Sequence, residues 1–127
     1  MSKLVENSYR SVNIGLVNEL KVICEKLNIN IHEVLDAAKT KPFGYVPFLP
    51  GPGVGGHCIP IDPIFISYVS KRKNYNVKFI NLARKINLNI TNWIVKKIIK
   101  TEKQNKKKLK VLIIGVAYKA EINDIRD

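Results

Sequence analysis

The sequence predicts a mainly α chain: a helical domain built on two long helices, followed by the first β-strand of an incomplete α/β domain. Three observations carry this expectation. Apolar residues recur at three- and four-residue steps through residues 3–27 and again through 77–103, which is the period of one helical face. Residues 42–63, between those stretches, hold all six prolines and most of the glycines, so no regular element fits there. From Lys110 the period is lost, and a short run rich in branched apolar residues ends at Gly115, as a buried parallel strand entering a turn would.

The first helix is expected from Lys3 to about Leu27, with its packing stripe at Leu4, Val5, Val12, Leu16, Leu20, Ile23 and Leu27. Asn28 and Asn30 interrupt it. A short helix follows at Ile31–Ala38 and stops near Lys41, because the proline at 42 disfavours helical backbone in the residue before it. Long irregular segments such as 42–63 are usually functional or disordered. Here Phe43, Tyr45, Val46, Phe48, Leu49 and Val54 argue for an ordered, packed loop. Asp62-Pro63 starts the next helix, with Asp62 expected at the N-cap and Pro63 at the first helical position, and that helix runs to about Val69. After a basic turn, the second long helix spans Val77–Lys103 with its stripe at Ile80, Ala83, Ile86, Ile90, Ile94 and Ile98, widened by Trp93 and Val95. The division expected is therefore a helical domain at 1–103, a charged linker at 104–108 and the start of a second domain at 109–127.

A chain of 127 residues, 46% hydrophobic, suffices for one modest domain. No apolar run reaches the length of about eighteen residues that a membrane helix needs, and no basic-then-apolar leader opens the sequence. A cytoplasmic location is expected, with no membrane partner. Two cysteines, Cys24 and Cys58, are too few for a disulfide framework, and no Cys/His cluster points to a metal. The net charge of +12 is lopsided: residues 1–60 hold six Lys/Arg against five acids, and residues 61–127 hold sixteen against five. A basic stripe over 71–110 raises the possibility of nucleic-acid binding. It lacks interleaved aromatics and any recognition motif, so a solvated helix face and a lysine-rich linker are the plainer reading, and no nucleic-acid partner is expected.

The chemistry concentrates in Gly53-Val54-Gly55-Gly56-His57-Cys58-Ile59-Pro60-Ile61-Asp62-Pro63. Three glycines in four positions let backbone approach something bulky, and a thiol and a carboxylate follow four residues apart. Lys3 and Asn7 have the same spacing and project from one face of the first helix. A thiol attacking an aldehyde needs donors for the developing oxyanion and a group that handles water. Lys3 and Asn7 could donate, Cys58 attack, and Asp62 position water or take its proton. Each also has a plainer reading: a solvated lysine, a surface asparagine, a small buried cysteine, an N-cap aspartate. Spacing alone does not choose between them.

Three stretches together resemble the UDP-glucose/GDP-mannose dehydrogenase family, the NAD-dependent nucleotide-sugar 6-dehydrogenases. Lys3 to Leu20 (KLVENSYRSVNIGLVNEL) looks like the helix that opens the family's central domain, and Pro50 to Pro63 (PGPGVGGHCIPIDP) resembles its nucleophile loop. Val111 to Lys119 with Asn123–Arg126 is similar to the strand and turn that open its C-terminal, Rossmann-like UDP-binding domain. The resemblance implies Cys58, Lys3, Asn7 and Asp62 as catalytic residues, Phe48, Gly55, Gly56, Tyr118 and Lys119 as substrate contacts, and Arg126 towards the cofactor. It implies NAD as cofactor, a UDP-sugar as substrate, and a homodimer through the long helices. The reaction implied is oxidation of a sugar C6 hydroxyl to carboxylate.

Gly-Gly-His-Cys-Ile-Pro-x-Asp-Pro resembles the branch acting on UDP-N-acetylhexosamines. The glucose branch more often has another residue before the cysteine and lysine where Ile61 stands. UDP-glucose or GDP-mannose oxidation remains the alternative, as does a non-catalytic dimerising remnant. The G-x-G-x-x-G turn of the family's dinucleotide domain is not in these 127 residues, and the last motif runs out at Asp127, so a fragment inactive by itself is expected.

Overall fold

The computed structural model describes residues 1–105, 108–115, 117 and 121. It contains four helices in the order α1 (Ser2–Lys26), α2 (Ile31–Lys39), α3 (Asp62–Lys71) and α4 (Phe79–Asn105). The two long helices pack on each other; α3 lies against both, and α2 folds back on α1. Asparagine shapes two of the joints. Asn28 takes a left-handed φ of 56° past the end of α1, a conformation asparagine tolerates better than most residues. Asn30 caps α2: its side chain accepts from His32 N at 3.0 Å and donates to Glu33 Oε1 at 2.9 Å.

Helix α1 departs from the expected packing. Most of the apolar stripe faces outward, with Val5, Leu16, Leu20, Ile23 and Leu27 all exposed. The buried face is instead Asn7, Ser8, Ser11, Gly15, Val17, Asn18 and Cys24. Small residues win here because α4 approaches too closely for large ones. A Cβ on Gly15 would sit 3.2 Å from the Ala83 carbonyl oxygen, tighter than ordinary contact. On α4, Ala83, Asn87 and Ile90 are buried, so the Ala83–Ile90 part of its expected stripe packs inward while Ile98 is exposed. The apolar centre comprises Val17, Cys24, Ile31 and Leu35, with Tyr45 and Phe48 of the loop packed against it.

Buried polar groups require partners, and a ladder supplies them. Asn18 Nδ2 donates to Asn87 Oδ1 at 3.1 Å, and Asn87 Nδ2 donates to the Ser11 carbonyl at 2.8 Å. Asn18 Oδ1 accepts from Gly51 N at 2.9 Å, which brings the long loop into the same network. Thr91 Oγ1 donates to the Pro52 carbonyl at 2.6 Å. Gly53 follows with φ of 136°, where a Cβ would stand 3.0 Å from the Asn87 carbonyl. At the far end Lys97 Nζ bonds Glu25 Oε2 at 2.5 Å and lies 5.4 Å from the Trp93 ring centroid, answering one of the cations of α4.

Two expectations need correction. Asp62 is not the N-cap of α3: Ile61 holds that position, and Asp62 is the first helical residue. The strand from Lys110 is not formed either. The described residues from 108 to 115 carry no regular structure, and Val111, Leu112, Ile113 and Ile114 are exposed. A strand exists by pairing, and among the described residues there is no other strand to pair with. The boundaries of α4 also shift, to Phe79–Asn105. Val77 stays outside the helix but is buried, its carbonyl accepting from Asn81 Nδ2 at 2.5 Å.

Replacing Asn18 with Ala strands two partners, the buried Asn87 Oδ1 and the half-buried Gly51 N–H. The expected cost is about 2–4 kcal/mol of folding stability, read from urea unfolding followed by circular dichroism. A cost below about 0.5 kcal/mol would mean that the ladder contributes nothing net.

Candidate active site

The loop enters this region with Gly56, which is buried and has φ of 86°, a value that glycine alone adopts freely. Past His57, the Cys58 carbonyl accepts from Ile61 N at 3.2 Å and from Asp62 N at 2.8 Å. That closes one helical turn across Pro60 and leads straight into α3. Cys58 and Asp62 are thereby held a turn apart by backbone bonds, independent of their side chains.

Helix α1 brings the other two groups. Asn7 Nδ2 donates to Asp62 Oδ2 at 2.6 Å, a short charge-assisted bond between two buried residues. Lys3, one turn earlier, places Nζ 3.7 Å from the same oxygen. A hydrogen bond with the Cys58 side chain, then the negative charges of Asp62 and Cys58, raise the Lys3 pKa above its usual value. The lysine side chain is 67% exposed, so its ammonium sits at the rim with the carboxylate behind it. Asp62 serves neither as a cap nor as a free surface charge, because both neighbours on α1 converge on its Oδ2. The four residues expected to act together therefore form one cluster.

The remaining expected site residues are placed differently. Phe48 packs edge-on against Tyr9 of α1, ring centroids 5.8 Å apart, on the apolar centre. Gly55 is half-buried and Gly56 buried within the loop itself. Tyr118, Lys119 and Arg126 lie outside the described residues. Sequence reading missed Arg10, whose guanidinium Nη1 donates to Asn7 Oδ1 at 3.4 Å and which also pairs with Glu6. The i,i+4 spacing of Glu6 and Arg10 beside Asn7 was the available signal. Also missed was Ser8 Oγ, buried without a hydrogen-bond partner.

A cavity of about 250 Å³ borders the loop between Pro52–Val54, Pro60–Ile61 and Arg84 of α4. None of Lys3, Asn7, Cys58 or Asp62 lines it, so the reactive cluster opens elsewhere. The glycines give no cradle for a dinucleotide. Gly53 is pressed on the Asn87 carbonyl, the loop follows no strand, and a proline-rich segment precedes it, whereas a pyrophosphate needs free backbone N–H groups at a helix N-terminus. The glycine loop is therefore not a pyrophosphate cradle. Cys24 and Cys58 are free thiols, and no group of three His, Cys, Asp or Glu side chains that could hold a metal occurs among the described residues.

Residues 1–89 match the model of the UDP-glucose/GDP-mannose dehydrogenase family, central domain. The chain belongs to this family. Across its full length it is 45% identical to the UDP-N-acetyl-D-mannosamine dehydrogenase of Methanocaldococcus jannaschii, spanning 28% of that protein. Over 99% of its length it is 39% identical to the UDP-N-acetyl-D-glucosamine 6-dehydrogenase of Salmonella typhi, spanning 30% of it. The solved UDP-D-ManNAc dehydrogenase of Pyrococcus horikoshii superposes with a TM-score of 0.85 at 33% identity, over 99% of this chain and 30% of that one. As a member of the dehydrogenase family, the chain thus corresponds to under a third of its relatives' length, centred on the helical domain that carries the Cys58 loop.

Thiol reactivity follows access and the charge nearby. Cys24 is 8% exposed inside the apolar centre, while Cys58 is half-buried beside the Lys3 ammonium. Iodoacetamide at neutral pH is expected to label Cys58 well before Cys24 in peptide mass spectrometry, and Lys3→Ala to slow labelling of Cys58 alone. Equal rates for both cysteines in a chain with full helical circular dichroism would contradict the special environment of Cys58.

Proposed function

We propose that this chain supplies the catalytic thiol and its surrounding groups in an NAD-dependent dehydrogenase that oxidises the C6 hydroxyl of a UDP-N-acetylhexosamine to a carboxylate. One observation carries the reading: the ammonium of Lys3, the amide of Asn7, the thiol of Cys58 and the carboxylate of Asp62 meet in a single cluster. The hexosamine branch is supported by the Gly-Gly-His-Cys-Ile-Pro-Ile-Asp-Pro loop and by the names of the relatives in Methanocaldococcus jannaschii and Salmonella typhi.

The chemistry assigned to these residues begins at the C6 aldehyde. Cys58 Sγ, as thiolate, adds to the carbonyl carbon; an S–C bond forms and the carbonyl π pair moves to oxygen. Lys3 Nζ and the second Nδ2 proton of Asn7 stabilise the negative oxygen. NAD, which family membership implies, would when bound supply the acceptor for the C6 hydride that this adduct must lose to become a thioester. In hydrolysis, water attacks the acyl carbon, Asp62 positions it and takes its proton, the C–S bond breaks, and Cys58 leaves as thiolate. Asp62 thus has a double part, since the same carboxylate that handles water anchors both oxyanion donors. Substrate contact by Phe48, Gly55, Gly56, Tyr118 and Lys119, and cofactor contact by Arg126, belong to the same proposal. So does action in the cytoplasm; among the described residues no helix is long and apolar enough to cross a membrane.

The addition step is testable without the oxidation. UDP-N-acetylmannosamine 6-aldehyde labelled with carbon-13 at C6 is expected to give a thiohemiacetal resonance with the chain, absent in Cys58→Ala and weakened in Lys3→Ala. An identical spectrum for the chain and Cys58→Ala would sink the nucleophile assignment. A stronger adduct from the UDP-glucose aldehyde would move the chain to the glucose branch.

The same proposal includes a homodimer through the long helices. The outward stripe of α1 (Val5, Leu16, Leu20, Ile23) and Leu88, Val95 and Ile98 of α4 leave more large apolar surface in water than a lone domain of this size usually shows. Sedimentation at about 50 µM is expected to show a dimer, and Leu16→Lys to shift it towards monomer. A single monomeric species for the unaltered chain would refute the pairing.

A further inference from the structure

We propose that Arg10, braced by Glu6, is a positioning residue that fixes the side-chain amide of Asn7 so that its Nδ2 faces Asp62 and the reacting oxygen. An asparagine amide has a donor end and an acceptor end of nearly equal shape, so in a buried site its orientation must be imposed. Asn7 is 5% exposed, and charges of opposite sign stand at its two ends. The Asp62 carboxylate receives the Nδ2 bond at 2.6 Å; the Arg10 guanidinium gives the Oδ1 bond at 3.4 Å. Turning the amide over would press Oδ1 on a carboxylate oxygen and the NH2 group on a cation. Asp62 holds only the donor end. Without Arg10 the acceptor end is unheld, and the amide can rock about the Asp62 bond, taking its second N–H out of line.

The geometry of the brace fits positioning rather than stability. Glu6, Asn7 and Arg10 occupy neighbouring sites on one face of α1, and Glu6 precedes Arg10 by four residues, the favourable order for such a pair. The Arg10 and Glu6 side chains are 45% and 60% exposed, and ion pairs this open add little to folding. What the pair does is limit where the guanidinium can point, and it points at a buried amide in the reactive cluster.

The proposal rests on Asn7 being a donor in the proposed reaction, but its first test uses no substrate. In the nitrogen-15-labelled full chain, the hydrogen-bonded Asn7 Nδ2 proton is expected downfield. Arg10→Ala should shift it upfield and narrow the gap between the two amide protons, Arg10→Lys should restore most of the separation, and Glu6→Gln should give a smaller shift in the same direction. An unmoved Asn7 amide pair in Arg10→Ala, at unchanged helix content, overturns the proposal. If Arg10→Ala fails to fold, Glu6→Gln decides instead: an unmoved pair overturns the proposal and an upfield shift supports it. With the labelled 6-aldehyde, Arg10→Ala should lower the thiohemiacetal yield and Arg10→Lys recover it. Absence of adduct in the unaltered chain would sink the reaction assigned to the site while leaving the amide result to stand or fall separately.

Discussion

Everything else in the molecule depends on how closely α1 and α4 approach at Gly15 and Ala83, and on the asparagine ladder that this approach makes necessary. Helices this near each other cannot interleave leucines, so the interface is filled by Gly15, Ser11 and Ala83. The polar groups trapped there would destabilise the fold if unpaired. Asn18 and Asn87 remove that cost by bonding each other, and each spends its remaining capacity elsewhere, Asn87 on the Ser11 carbonyl and Asn18 on Gly51 N. The second of these bonds extends the ladder from packing to function. It ties the proline–glycine loop to the helix pair seven residues before Cys58, and Gly53 then lies flat on the Asn87 carbonyl, where a side chain would not fit. The reactive loop is seated on the interface between the helices, and a disturbance of that interface reaches Cys58 through the backbone.

The sequence revealed the helices because their causes are local. Proline at 42 and 63 and the left-handed Asn28 mark where helices stop or start, and the apolar period marks where they run. It did not reveal which face of α1 is buried. Periodicity ranks residues by hydrophobicity, and by that rank Leu16, Leu20 and Ile23 should be inside. Their exposure comes from a partner helix whose approach distance is a tertiary property, invisible in any window of sequence. The same limit governs the apolar run from Val111 to Ile114: its residue types favour a strand, but a strand needs a neighbour, and propensity cannot supply one.

At the candidate site, legibility divides along a similar line. The i,i+4 pairs Lys3/Asn7 and Cys58/Asp62 could each be placed on a common local surface from spacing alone. That they face each other could not, since Asn7 and Asp62 are 55 residues apart and meet only because α3 packs on α1. Asp62 looked like a helix cap because Asp-Pro is a common helix start. In the fold its backbone N–H is engaged with the Cys58 carbonyl and its carboxylate is turned away from its own helix towards α1. A local rule lost to a long-range charge-assisted bond, which is the kind of departure expected at a functional site.

Helix α1 consequently serves three purposes on two faces. Along the inner face Lys3 and Asn7, the latter bonded by Arg10, meet Asp62 near the start of the helix, and Ser11, Gly15 and Asn18 meet α4 further on; on the outer face Val5, Leu16, Leu20 and Ile23 remain exposed. These faces share one rigid rod with a rise of about 1.5 Å per residue. The site is therefore sensitive to rotations that the apolar surface would tolerate. A turn of α1 about its axis moves Asn7 and Lys3 sideways past a carboxylate held on another helix, and the 2.6 Å bond has little slack. The ladder resists that turn most strongly, because its bonds are buried and directional where apolar contacts are neither. Polar residues at the centre of the helix pair thus give up some hydrophobic burial and gain a defined angular register, and that register is what a cluster of four separately placed side chains requires.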